Sequence, residues 1–209
     1  MRTIREARPS EYSQLGEIMV DVYSQLEGFP GPKEIPDYYN TLKNVGDLTN
    51  NPGVKLFVSI SDTSEVEGGL VYFGDMSYYG AGGETVESQK AAAFRLLAVK
   101  PELRGQGLGK LLIHACFDQA RKENHESLLI HSTKYMMVAW KMYERMGFNK
   151  YPSIDFEKNG VKVIRTNRRS SEATALTDRD VPSASKVMIG RCAAAKSPTT
   201  GSTLVTNGV

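Results

Sequence analysis

The sequence predicts an α/β protein, and three observations carry that prediction. Short apolar runs at Val54 to Ile60, Glu67 to Phe73 and Phe94 to Val99 are bounded by polar or turn residues and read as strands. Other segments repeat apolar residues at helical spacing, most cleanly Leu108, Leu111, Leu112, Ala115, Cys116 and Ala120. The expected order is a strand, two helices, three strands, a helix, a strand, a helix and two strands. Strands and helices mixed in this way cover a sheet with helical layers.

Thr3 to Ala7 forms the first strand of this reading. Ser10 then caps a helix with Leu15, Ile18, Met19, Val22 and Leu26 on one face, closed by Gly28. A second helix starts at Pro36-Asp37 and runs through Tyr38, Leu42 and Val45. Ser61 to Glu65 is a polar turn, so the strands on either side of it make an antiparallel hairpin. Gly74 to Lys90 is a long glycine-rich loop that carries Tyr78 and Tyr79. The helix from Leu108 ends near Asn124, and Leu128 to His131 is a short strand. Tyr135 to Met146 is a helix with Gly147 as its C-cap. Phe148 to Tyr151 and Val161 to Thr166 close the sheet, with a turn at Lys158 to Gly160. From residue 167 to 209 the chain is rich in Ser, Thr, Ala and Gly, and a disordered tail is expected there. A domain over 1–166 therefore precedes a tail over 167–209.

With 209 residues the chain suits one domain, and a net charge of +2 does not point to nucleic acid. Cys116 lies on an apolar helix face and Cys192 in the tail, so a disulfide between them is not expected and a cytoplasmic location is. The first residues have no signal-peptide pattern, and no run is long enough to span a bilayer. His114, His125 and His131 lack metal-ligand spacing, so no metal is expected.

The segment with the most chemical content is Arg104-Gly105-Gln106-Gly107-Leu108-Gly109-Lys110, set between a strand and a helix. Glycines let a ligand approach the backbone, and the first N–H groups of the helix have no internal partner. Those donors and the helix dipole converge on an anion, with Arg104 and Lys110 adding charge. The loop is not a P-loop, because Leu111 follows Lys110 where a hydroxyl is required. Nor does it fit the dinucleotide fingerprint, because its third glycine arrives one residue early.

The segment resembles the Arg-x-x-Gly-x-Gly loop of the GCN5-related N-acetyltransferase (GNAT) family, with Arg104, Gly107 and Gly109 at those positions. About thirty residues on, Ala139 to Phe148 resembles the family's second signature, Ala-x-x-Leu-Tyr-x-x-x-Gly-Phe. The resemblance implies the acyl-CoA N-acyltransferase fold, a mixed and mostly antiparallel central sheet flanked by helices. It implies acetyl-CoA as cosubstrate and direct transfer to a primary amine in a ternary complex. By the same resemblance two parallel strands splay to admit pantetheine, whose amides pair with the backbone of Leu97 and Val99. The backbone of Gly105, Gln106, Gly107, Leu108, Gly109 and Lys110 then holds the pyrophosphate, beside Arg104. Tyr143 matches the tyrosine that protonates the departing thiolate. Homodimers are a family-level expectation.

Two residues depart from the family pattern. Met136 stands where the family often has a cofactor-contacting asparagine, with Ser132 or Thr133 as substitutes. Ala93 stands where some members carry a basic glutamate, which leaves Asp75, Glu84, Glu87, a water relay or bulk solvent as the base. Arg95, read on the same strand face as Ala93 and Leu97, either pairs with a loop acid or binds a substrate carboxylate. The acceptor is open among peptides, polyamines, aminoglycosides and amino acids. A non-catalytic acyl-CoA-binding module is the alternative to an enzyme.

Overall fold

Every residue of the strand Val66–Phe73 is buried, so this part of the sheet must be covered on both faces. The computed structural model describes residues 2–80, 90–150, 156–158, 161–172 and 187–189. Its strands are β1 (Arg2–Glu6), β2 (Val54–Ile60), β3 (Val66–Phe73), β4 (Ala91–Val99), β5 (Ser127–Thr133), β6 (Asn149–Lys150), β7 (Phe156–Lys158), β8 (Val161–Arg169) and β9 (Val187–Ile189). The helices are α1 (Tyr12–Ser24), α2 (Pro36–Lys43), α3 (Leu108–Lys122) and α4 (Met137–Arg145). The strands pair in the order β6-β8-β5-β4-β3-β2-β1-β9, with β7 also on β8. Among the described residues only β4–β5 and β1–β9 are parallel. The expected class, a mixed and mostly antiparallel sheet between helices, is what the chain forms.

Two cores follow from the alternation of side chains along the strands. On one face Leu15 and Met19 of α1 and Leu42 of α2 pack on Val58, Val71, Phe73 and Ala93. On the other, Leu111, Leu112, Cys116 and Phe117 of α3, with Tyr143 and Met146 of α4, pack on Leu70, Phe94, Leu128 and Ile130.

Local chemistry explains where the elements differ from expectation. Ser10 does not cap α1. A short 3-10 turn, Pro9–Glu11, comes first, and the Glu11 carboxylate accepts from the Arg8 N–H at 2.7 Å. Arg5 holds the same carboxylate through two hydrogen bonds of 2.6 and 2.8 Å, a reach the serine hydroxyl lacks. Hydrogen bonding from Arg5, ahead of the opposing effect of burial, keeps the Glu11 carboxyl below its usual range. Val45 falls beyond α2, in a second 3-10 turn, Val45–Asn50. The sheet continues past residue 166 to Arg169, and Val187–Ile189 pairs with β1. Ser170–Glu172 follows as a 3-10 turn, and the remaining residues of the expected tail, Cys192 among them, lie outside the described residues.

The end of α3 is tied to the sheet through Glu123. Glu123 accepts from Tyr72 Oη at 2.7 Å and from Gln119 at 2.6 Å, and it pairs with Lys55 at 3.2 Å. Burial opposes its charge, but these hydrogen bonds prevail and hold its carboxyl below the usual range. The His125 side chain is 13% exposed, with Nε2 3.5 Å from Glu123.

Candidate active site

The register between β4 and β5 creates an opening. Parallel pairing runs from Ala91↔Ser127 to Phe94↔Ile130 and stops there, although both strands continue. Beyond that point β4 keeps only its β3 neighbour, through Val71↔Arg95, Gly69↔Ala98 and Gly68↔Val99. Three steps on β4 thus oppose two on β3, a bulge centred on Leu96, whose φ of 57° lies in the left-handed region. Gly68 permits the close approach, because a Cβ there would lie 2.5 Å from the Ala98 carbonyl oxygen. A non-glycine residue at such a φ costs about 1–2 kcal/mol, so surrounding packing must hold the kink.

The bulge also inverts the inside–outside pattern. Ala93 and Leu96 pack toward α1 and α2, whereas Leu97 and Val99 pack toward α3 and α4. The expectation that Arg95 and Leu97 share a face is therefore wrong. Strict alternation fails at the extra residue, and Arg95 lies with Ala93 on the α1/α2 side, against Tyr79.

The glycine loop follows directly. Gly105 and Gly107 have φ of 78° and 80°, and Gly107 is the N-cap of α3. The Leu111 N–H donates to the Gly107 carbonyl at 3.1 Å, so the helical ladder begins at Leu111. The N–H groups of Leu108, Gly109 and Lys110 are left at the helix mouth. Arg104 and Gly105 are exposed, Gln106, Gly107, Gly109 and Lys110 half-buried, and Leu108 buried. A Cβ on Gly109 would lie 3.3 Å from Met142 Sδ and 3.7 Å from Leu97 Cδ2, which brings α4 and the β4 bulge against this turn.

Tyr143 is 4% exposed. Its ring meets Phe94, the last β4 residue paired with β5, edge-on at 5.9 Å, and Phe148 at 5.8 Å. Burial, and then the neighbouring Tyr79 and Cys116, push its phenol well above the ordinary tyrosine value. Across the opening, the His131 N–H of β5 donates to Tyr79 Oη at 3.1 Å, and the two rings lie 5.0 Å apart. Arg95 Nη1 donates to the Tyr79 carbonyl at 2.8 Å, and its guanidinium sits 5.5 Å from the centre of that ring. Tyr23, Phe29, Tyr38 and Tyr135 form a contiguous aromatic wall on this side.

The hydroxyls of Ser132 and Thr133, where β5 has parted from β4 but still pairs with β8, are buried without a partner among the described residues. Met136 packs on the α1/α2 core. Asp75 is exposed, and its carboxylate caps a turn by accepting from the Ser77 N–H at 2.9 Å. Glu84 and Glu87 lie outside the described residues. Among the described residues no three His, Cys, Asp or Glu side chains gather as a metal site, and no helix is long and apolar enough to cross a membrane.

The family model for the "Acetyltransferase (GNAT) domain" matches residues 63–167. The chain belongs to the GNAT acetyltransferase family. Solved GNAT structures share its fold. A GNAT-family acetyltransferase of Staphylococcus aureus Mu50 superposes with a TM-score of 0.63 at 15% identity, over 81% of this chain and 99% of that one. The PaiA N-acetyltransferase of Thermoplasma acidophilum, solved in complex with coenzyme A, gives 0.61 at 14% identity, over 79% and 98%. An uncharacterized N-acetyltransferase of Dictyostelium discoideum is 27% identical over 74 residues, 35% of this chain and 34% of that protein. The matched stretch thus spans about a third of the curated relative's length.

The sequence already marked the glycine loop and Tyr143 of this GNAT chain, and the fold sets them at the glycine-loop end and on the α3/α4 face of the β4–β5 opening. It did not reveal Tyr79 as the partner of the His131 N–H on β5, nor the bulge at Leu96. The pair Gly68-Gly69 inside an apolar strand was the available signal, since strand glycines mark bulges and close approaches.

Proposed function

We propose that this GNAT chain moves an acetyl group from acetyl-CoA to a primary amine by direct transfer in a ternary complex. The observation that carries this reading is the loss of β4–β5 pairing beyond Phe94 and Ile130, beside a helix mouth built from glycines. A slot between parallel strands offers unpaired backbone to pantetheine amides, and Leu97 and Val99 lie on that stretch of β4. The partnerless hydroxyls of Ser132 and Thr133 fit the same polar chain. Arg104, Gln106 and Lys110, with the N–H groups from Gly105 to Lys110, serve the pyrophosphate.

In this reading the amine nitrogen attacks the thioester carbonyl carbon. A carbon–nitrogen bond forms as the carbon–sulfur bond breaks, and the acceptor's ammonium proton leaves to solvent or to a base. An N–H at the bulge stabilises the oxyanion, an effect worth about 3 kcal/mol per donor in other acyl-transfer enzymes. Tyr143 supplies a proton to the departing thiolate, and the second proton, shed by the nitrogen as the amide forms, restores the phenol.

The direct test is thermal melting with saturating acetyl-CoA, with ATP and NADH as controls. At a hundred times the dissociation constant the gain is about 2.7 kcal/mol, or roughly 5–10 °C for a chain of this size. A shift with acetyl-CoA alone, followed by CoA release on an amine panel, supports the reading. A larger shift with a nucleotide overturns the cofactor assignment, and tight binding with no turnover favours a binding module. Gly107→Val forces a β-branched residue into the left-handed region and crowds the anion, so acetyl-CoA affinity should fall about tenfold or more. Unchanged affinity in a titration would remove Gly107 from the cofactor site.

A further inference from the structure

Arg95 is the first β4 residue past the last β4–β5 pair, so its backbone borders the opening while its side chain lies on the α1/α2 face. It is half-buried, and among the described residues it meets no carboxylate. One of its five N–H donors goes to the Tyr79 carbonyl, and the guanidinium lies over the Tyr79 ring. Among the described residues this half-buried cation meets one carbonyl and one ring face, neither of which carries a full negative charge. Tyr79 fixes its plane, which leaves the remaining donors oriented as a fork, the geometry that grips a carboxylate through two parallel hydrogen bonds. The aromatic wall of Tyr23, Phe29, Tyr38 and Tyr135 stands on the same side and supplies apolar surface but no anion.

Resting on the acetyltransferase reading above, we propose that Arg95 anchors a carboxylate carried by the acceptor, so that the acceptors are free amino acids or close analogues. The carboxylate lies on the guanidinium, the amine is held toward the opening, and the side chain rests on the aromatic wall. A polyamine would bring positive charge against Arg95 and is disfavoured at this position.

The test compares matched pairs that differ only in the carboxylate, with CoA release as the readout. L-phenylalanine is set against phenethylamine and L-leucine against isopentylamine, with spermidine as the polycation. The full chain is expected to favour the amino acid in kcat/KM by about 100-fold. Arg95→Gln should bring that ratio close to one. Arg95→Lys, which keeps the charge but not the fork, should keep an intermediate ratio. Melting with and without acetyl-CoA, run on each variant, separates folding and cofactor binding from acceptor choice. Plain amines used as well as amino acids would overturn the proposal and leave the acetyltransferase reading standing. So would a loss in Arg95→Gln shared equally by both series, which marks Arg95 as support for Tyr79 alone. Turnover of neither series despite an acetyl-CoA shift also overturns it. Absence of the shift overturns the acetyltransferase reading itself.

Discussion

Tyr143→Phe is expected to lower kcat by roughly 100- to 10,000-fold, the range by which a placed general acid accelerates a reaction. Acetyl-CoA affinity should stay nearly the same, because the substitution removes one hydroxyl and keeps the ring. That ring packs against Phe94 and Phe148, so the melting temperature should barely move. Burial pushes the phenol up, so it stays protonated through neutral and mildly alkaline pH. Loss of activity at alkaline pH is therefore expected only above the ordinary tyrosine value of about 10. The acid limb should follow deprotonation of the acceptor ammonium and shift from amine to amine. A kcat unaffected by Tyr143→Phe would take Tyr143 out of the mechanism.

Phe94→Ala is expected to produce the largest loss of stability. Phe94 is fully buried, ends the parallel pairing of β4 with β5, and touches both Tyr143 and Phe148. Truncating such a ring costs about 3–5 kcal/mol, which for a chain of this length lowers the melting temperature by roughly 10 °C. Because the cavity opens beside Tyr143, turnover should fall as well at temperatures where the variant is still folded. Phe94→Leu keeps most of the volume and separates the two effects, with a smaller loss of stability and a measurable loss of kcat. A melting temperature within about 2 °C of the parent for Phe94→Ala would mean that the core at this point is not closely packed.

Periodicity made the helices and the hairpin readable, because burial of one face requires it. Leu111, Leu112, Cys116 and Ala120 are buried where helical spacing places them. The loop from Arg104 to Lys110 was legible because its chemistry is local: glycines, a helix start and flanking charge within one short segment. What escaped the sequence depends on the third dimension. The face of Leu97 is decided by an extra residue opposite Leu70, which alternation cannot anticipate. Ser10 has the right residue type for a cap but falls inside the 3-10 turn Pro9–Glu11, where the longer Glu11 side chain bonds Arg5 and the Arg8 N–H. Glu123 reads as solvent-facing until Tyr72, some fifty residues earlier, meets it from the sheet.

The parallel pairing of β1 with β9 bears on how the chain is made. β2 is synthesised early and gives β1 an antiparallel partner, but the other edge of β1 stays open until Val187–Ile189 has emerged. For most of synthesis, then, the first strand presents an unpaired edge, the kind of surface on which nascent chains associate. Its own residues counter that hazard: Arg2, Arg5 and Glu6 place charge along the strand, and Arg2 and Arg5 are tied to Glu67 and Glu11. The same charges that fix this strand within the finished sheet guard it from its neighbours on the polysome.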